Sequence, residues 1–145
     1  MKIIVQKFGG TSVASEESRL AVKNKIQQAI HNGYSPVVVV SAMGKTTNKL
    51  VELAKEISIN PDKREYDVLL STGEQISISL LAIAIQSLGY DAISFTGYQA
   101  GIKTKGIHSK SEIAGLRSSV DVEINDVLVD KLFLIKQKCS IKNKI

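Results

Sequence analysis

The sequence predicts an α/β domain built on a largely parallel sheet, and three observations carry that expectation. Two apolar runs, Ile3 to Val5 and Val37 to Val40, each empty into a polar loop containing glycine, and an amphipathic helical pattern follows each loop. The second run is four β-branched residues without alternation, the pattern of a strand buried on both faces, which belongs to parallel sheets. A third stretch, Asp91 to Phe95, feeds a third glycine-rich loop. In open α/β sheets the loops after the carboxyl ends of the strands form the ligand crevice, so these loops are expected on one edge of the sheet.

The 145 residues suffice for one core but not for two ordinary domains. No uninterrupted apolar run approaches the ~18 residues of a bilayer span. The first residues lack a basic segment leading into an apolar stretch and a small-residue cleavage site, so no secretory signal is read and a cytoplasmic chain is expected. A single cysteine, Cys139, excludes an internal disulfide and a dedicated cysteine metal site. The net charge of +5 is not spread over the chain: Lys131 to Ile145 holds five lysines and no acid, while the remainder balances 14 basic against 14 acidic groups. No aromatic residues are interleaved with the tail lysines to stack on bases, so the tail reads as solvated and no nucleic-acid partner is expected.

In order, the first run delivers Lys7 into Phe8 Gly9 Gly10 Thr11 Ser12. Adjacent glycines let the backbone turn with its N–H groups exposed to an anion, Thr11 and Ser12 add hydroxyls that can cap the next helix, and Lys7 adds a full positive charge. This layout suits a phosphate site, and equally a plain strand-turn-helix junction. Val13 to Asn32 then reads as an amphipathic helix with Val22, Ile26, Ala29 and Ile30 on one face and Asn32-Gly33 as its left-handed cap. His31 falls in the last turn, where an imidazole interacts well with the helix dipole. After Val37 to Val40 comes Ser41 Ala42 Met43 Gly44 Lys45 Thr46 Thr47 Asn48, then a helix with Leu50, Leu53, Ala54 and Ile57 on one face and its N-cap at Thr47 or Asn48. Gly44 Lys45 Thr46 is not a Walker A loop, because that motif needs glycine five positions earlier and Val39 stands there.

Asn60 Pro61 Asp62 signals a turn, and Lys63 to Leu70 reads as a short helix. Ser71 Thr72 Gly73 Glu74 then precedes Ile76 to Leu88, a helix apolar on nearly every face and so expected to be buried. Glu74 is thereby expected at a buried helix start, where a carboxylate needs the helix N-terminus, a cation or a ligand amine. Gly89 ends that helix, and Thr96 Gly97 Tyr98 Gln99 Ala100 Gly101 forms the third loop. From Ile102 to Gly115 no firm element is read, and His108 reads as a surface loop histidine. Val120 to Ile135 mixes strand and helix patterns.

Lys7-Phe8-Gly9-Gly10-Thr11-Ser12, Ser41-Ala42-Met43-Gly44 with Thr47, Ser71-Thr72-Gly73-Glu74 and Thr96 to Gly101 together resemble the N-terminal half of the aspartate kinase catalytic domain, in register from Lys2 to about Ile113. The resemblance implies the amino-acid-kinase fold, a three-layer αβα sandwich around a largely parallel sheet, here truncated. It also implies transfer of the ATP γ-phosphoryl group to the β-carboxylate of L-aspartate. By the same resemblance Lys7 is the catalytic lysine, Phe8, Gly9, Gly10 and Ser41 lie by the nucleotide phosphates, Thr47 and Glu74 hold aspartate, and Mg²⁺ arrives with ATP. A homo-oligomer is expected.

The chain then departs from the family pattern. Glu112 stands where a basic residue is usual, and the later glycine-rich loop and Gly-Gly-Ser-Asp stretch do not follow Ile113. The expected division is therefore residues 1–113 as part of the catalytic domain and 114–145 as an atypical ending, with little or no activity in the isolated chain. The alternatives are a non-catalytic chain that binds a full-length partner, and a kinase for a related carboxylate.

Overall fold

Strands β1 (Lys2–Phe8) and β2 (Tyr34–Val40) pair in parallel, from Lys2 opposite Tyr34 to Phe8 opposite Val40. The computed structural model describes residues 2–106, 108, 111–116 and 134–136. Between the two strands lie a 3₁₀ turn, Gly10–Val13, and helix α1 (Glu16–His31). Helices α2 (Thr46–Ile57) and α3 (Lys63–Gln86) follow β2, and then come β3 (Ile93–Phe95), β4 (Ile102–Lys105), β5 (Glu112–Leu116) and β6 (Leu134–Lys136). The main sheet has the order β1-β2-β6-β3, and β4 and β5 form a separate antiparallel pair.

β6 runs antiparallel to both of its neighbours, with Val37 and Ile93 facing Lys136 from either side and Val39 and Phe95 facing Leu134. β3 is therefore parallel to β1 and β2. The expectation of a largely parallel sheet holds for the three strands that feed the loops, and one antiparallel strand is set between the second and third.

Alternation along β1 and β2 defines two sheet faces. Phe8, Val38 and Val40 pack with Val22 and Ile26 of α1 and with Ile78, Leu81 and Ile85 of α3, so both helices cover the same face. Ile26, Val38 and Val40 are fully buried, each contributing about 1.5–3 kcal/mol by removal from water. Ile3, Val5 and Lys7 point to the other face, where Ile3 is 64 % and Val5 67 % exposed. The described residues thus supply the sheet and one helical layer of the sandwich.

Several local expectations are met. Val22, Ile26 and Ala29 are the buried face of α1, and Gly33 and Gly89 take φ values of 79° and 81° after their helices. Others are corrected. The cap of α1 is Ser15, in a reciprocal box with Ser18, because the 3₁₀ turn occupies the residues where Thr11 and Ser12 were expected to cap. Helix α2 begins at Thr46, which puts its N-cap at Lys45 rather than at Thr47 or Asn48. Of its expected apolar face only Ala54 is buried, and Leu53 and Ile57 are exposed.

The largest correction concerns α3, which is one continuous helix where two were expected. The Ser71 and Thr72 hydroxyls donate to the carbonyls of Val68 and Leu69, so they satisfy themselves within the helix and do not interrupt it. Glu74 consequently lies mid-helix and not at the N-terminus of α3. Nor is the helix buried all round, since Ile76, Leu80 and Ile83 are exposed. By length and composition α3 could cross a membrane, yet its other face is part of the core. The irregular stretch after Gly101 is the β4–β5 hairpin. Within Val120 to Ile135, Leu134 and Ile135 belong to β6; the rest of that stretch and the remaining tail lie outside the described residues.

Candidate active site

The loops after β1 and β2 are laced together by main-chain hydrogen bonds. Ser41 N–H donates to the Phe8 carbonyl at 3.2 Å, and Gly44 N–H donates to the Gly10 carbonyl at 2.9 Å. The first loop also closes on itself, with Ser12 N–H donating to the Gly9 carbonyl at 3.0 Å. The approach is close enough that a Cβ on Gly10 would stand 2.5 Å from the Ala42 carbonyl oxygen. Gly44 adopts φ 52°, a left-handed conformation that glycine takes without a steric penalty.

Helix α3 reaches the same place through Gly73. A Cβ there would meet the Ala42 Cβ at 3.2 Å, the Leu50 side chain at 3.3 Å and the Thr46 methyl at 3.4 Å. The next residue is Glu74, 7 % exposed. The start of α2 lies alongside: Thr46 donates its hydroxyl to the Met43 carbonyl at 2.7 Å, and no side chain among the described residues caps the helix. Its first-turn amides and dipole favour an anion. The third loop is stapled by Thr96 and Gln99, each bonding the other's backbone N–H through its side chain, and it follows Phe95, which is level with Val39, one residue before the end of β2.

Phe8, Gly9, Gly10, Ser41, Thr47 and Glu74 are therefore gathered where the two loops, α2 and α3 meet. Lys7 is at the same edge, one residue inside β1, exposed and on the sheet face opposite α1 and α3. The dipole expected behind Gly9-Gly10 is displaced, because α1 starts at Glu16 and carries Glu16 and Glu17 in its first turn.

Two features escaped the sequence reading. Asp67, Ser71, Glu74 and Ser77 form a buried polar stripe along α3, spaced by three or four residues. That spacing shows only when residues 63–86 are read as one helix. The second is a contact between the His108 Nδ1 and the Asp67 Oδ2 at 3.3 Å: His108 is a half-exposed loop histidine, as read, but one with a buried acid as its partner. The other histidine, His31, has its Nε2 2.8 Å from the Tyr90 hydroxyl.

The loops after β1 and β2 and the buried Glu74 lie at one edge of the sheet, and the comparisons give the family. Residues 2–132 match the Amino acid kinase family, and the chain belongs to that family. It is 55% identical to Aspartokinase 2 of Bacillus subtilis (strain 168) over 120 residues, covering 83% of this chain and 29% of that protein. Against the Aspartokinase of Bacillus sp. (strain MGA3) it is 53% identical over 127 residues, covering 87% of this chain and 31% of the relative. The crystal structure of aspartate kinase from Synechocystis superposes with a TM-score of 0.65 at 58% identity, covering 69% of this chain and 17% of that one. The chain thus spans less than a third of the length of the relatives it matches.

Proposed function

We propose that this chain is the N-terminal part of an aspartate kinase, an ATP-dependent enzyme of the bacterial cytoplasm that converts L-aspartate to 4-phospho-L-aspartate, the first step toward lysine, threonine and methionine. The observation that carries the reading is the lacing of the β1 and β2 loops beside the uncapped start of α2, with Glu74 of α3 next to the same junction. Phosphoryl transfer needs positioning and charge stabilisation more than covalent help, and here two anionic reactants must meet. Lys7 supplies positive charge to the transferring group, the backbone of Phe8, Gly9 and Gly10 with Ser41 holds the nucleotide phosphates, and Thr47 and Glu74 hold aspartate, Glu74 by its α-ammonium group. Mg²⁺ is carried by the phosphate oxygens of ATP, where it neutralises charge.

The test is coupled ADP release and, separately, equilibrium binding of Mg-ATP and aspartate, with glutamate as the competing acceptor. The isolated chain is expected to bind both substrates and to turn over slowly or not at all. Lys7→Ala is expected to weaken ATP binding about tenfold, in line with the loss of one charge-assisted contact. Unchanged ATP binding in that variant counts against the assignment, and a preference for glutamate redirects it to a related carboxylate.

A second reading, a non-catalytic chain that associates with a longer partner, is favoured by the uncovered apolar face at Ile3 and Val5. In either case the chain is expected to associate with other copies or with longer homologues.

A further inference from the structure

We infer that the contact between Asp67 and His108 docks the β4–β5 hairpin on the acid-bearing face of α3, making both residues positioning groups for the acceptor half of the site. The inference rests on the kinase reading for its functional part and on geometry alone for the docking.

Among the described residues the hairpin has two clear attachments to the rest of the chain. It is a separate sheet from the main one. Lys103, Lys105, Glu112, Ile113 and Ala114 are all exposed. Its base is fixed by Ile102, 3 % exposed. The second fixed point is in the connection between the strands, where His108 meets Asp67 at 3.3 Å. Asp67 is 8 % exposed, and losing a partner costs a buried carboxylate more than it costs a surface one.

The place of that anchor on α3 gives it a role. Asp67 and Glu74 are seven residues apart in one uninterrupted helix, which is nearly two full turns, or about 10 Å along the same face. The span is about the length of a small dicarboxylic amino acid plus one contact shell. A hairpin held at Asp67 therefore stands beside whatever Glu74 binds, and it brings the cationic strand β4, with Lys103 and Lys105, to that end of the site. Neither Asp67 nor His108 need touch the substrate for this. They act by holding the hairpin.

The experiment measures hydrogen exchange of the hairpin amides (102–106 and 112–116) in the 145-residue chain, with aspartate and Mg-ATP binding in parallel. Asp67→Ala and His108→Ala are expected to speed hairpin exchange about tenfold and to weaken aspartate binding about fivefold, the scale of one lost buried contact. ATP binding is expected to hold within about twofold. Asp67→Asn and His108→Gln keep a hydrogen-bonding group and are expected to recover most of both effects. Exchange in α1 and β1 identifies a variant that merely fails to fold, and the partly exposed His108 supplies the milder substitution if Asp67→Ala does so.

Unchanged hairpin exchange in the folded alanine variants overturns the docking. Faster exchange with unaltered aspartate affinity overturns the positioning role. Failure of the conservative variants to recover either effect points to a local packing defect and overturns it as well. A wild-type chain that binds no aspartate overturns the kinase reading and the positioning role together, while exchange alone still decides the docking.

Discussion

Gly10 lies so close beneath Ala42 that a single added methyl carbon would stand 2.5 Å from the Ala42 carbonyl oxygen. The obstacle is backbone, which cannot swing aside as a side chain can. The neighbouring Gly9 has open space around the same position.

Gly10→Ala should therefore cost about 1–3 kcal/mol through forced backbone movement, and it should break the bond from Gly44 N–H to the Gly10 carbonyl. Gly9→Ala should stay within about 0.5 kcal/mol of wild type, since Gly9 is in ordinary extended backbone at φ −74°. Denaturant melts of the two variants check the contrast, and equal stabilities would refute the steric account.

Gly73 presents a contest between two effects. Alanine in the helix interior gains about 1 kcal/mol of helix propensity, while its Cβ would crowd the Ala42 Cβ, Leu50 and Thr46 at 3.2–3.4 Å. Overpacking of this kind costs about 1–3 kcal/mol, so Gly73→Ala is expected to destabilise on balance. Ala42→Gly in the Gly73→Ala background should recover part of the loss, with a coupling of about 1 kcal/mol in a double-mutant cycle. Strict additivity would show that the two residues do not press on each other.

The start of α3 depends on Asp62, whose Oδ1 accepts from Arg64 N–H at 2.9 Å and Glu65 N–H at 3.2 Å. Asp62→Ala should lower stability by about 1 kcal/mol. Asp62→Asn should retain most of it, because the amide oxygen accepts the same bonds. Thermal melts of both variants test the cap.

The exposed Ile3 and Val5 stand on β1, which is an edge of the main sheet among the described residues. Exchanging both for threonine should leave stability within about 0.5 kcal/mol, because little burial is lost. Concentration-dependent association should fall, since an apolar face on a sheet edge is a template for contact with another chain. Sedimentation velocity across a concentration series reads this directly, and unchanged association would move the contact surface elsewhere.

Much of the loop edge was legible from the first two strands. The unbroken Val37 to Val40 run and the two loops behind Lys7 and Val40 gave parallel pairing and the shared edge, because buried parallel strands write their environment into consecutive residues. The resemblance of four motifs in register pointed to the family, which the comparisons show, and spacing alone leaves ligand binding and turn chemistry open at those loops. The misreading of α3 has a physical cause: serine, threonine and glycine at positions 71–73 imitate a helix boundary. Tertiary packing against Ala42 and Thr46 makes that glycine useful inside the helix, which no local pattern reports. The Asp67–His108 contact joins residues 41 positions apart and leaves no periodic signature.

The absence of any break between Asp67 and Glu74 makes α3 a stiff lever. A loop between them would absorb a displacement of one before it reached the other. A helix passes it on, because each turn is locked to the next by its own hydrogen bonds. A displacement at Asp67 is thus delivered to Glu74 with its direction preserved, and one at Glu74 acts back on a surface nearly two turns away.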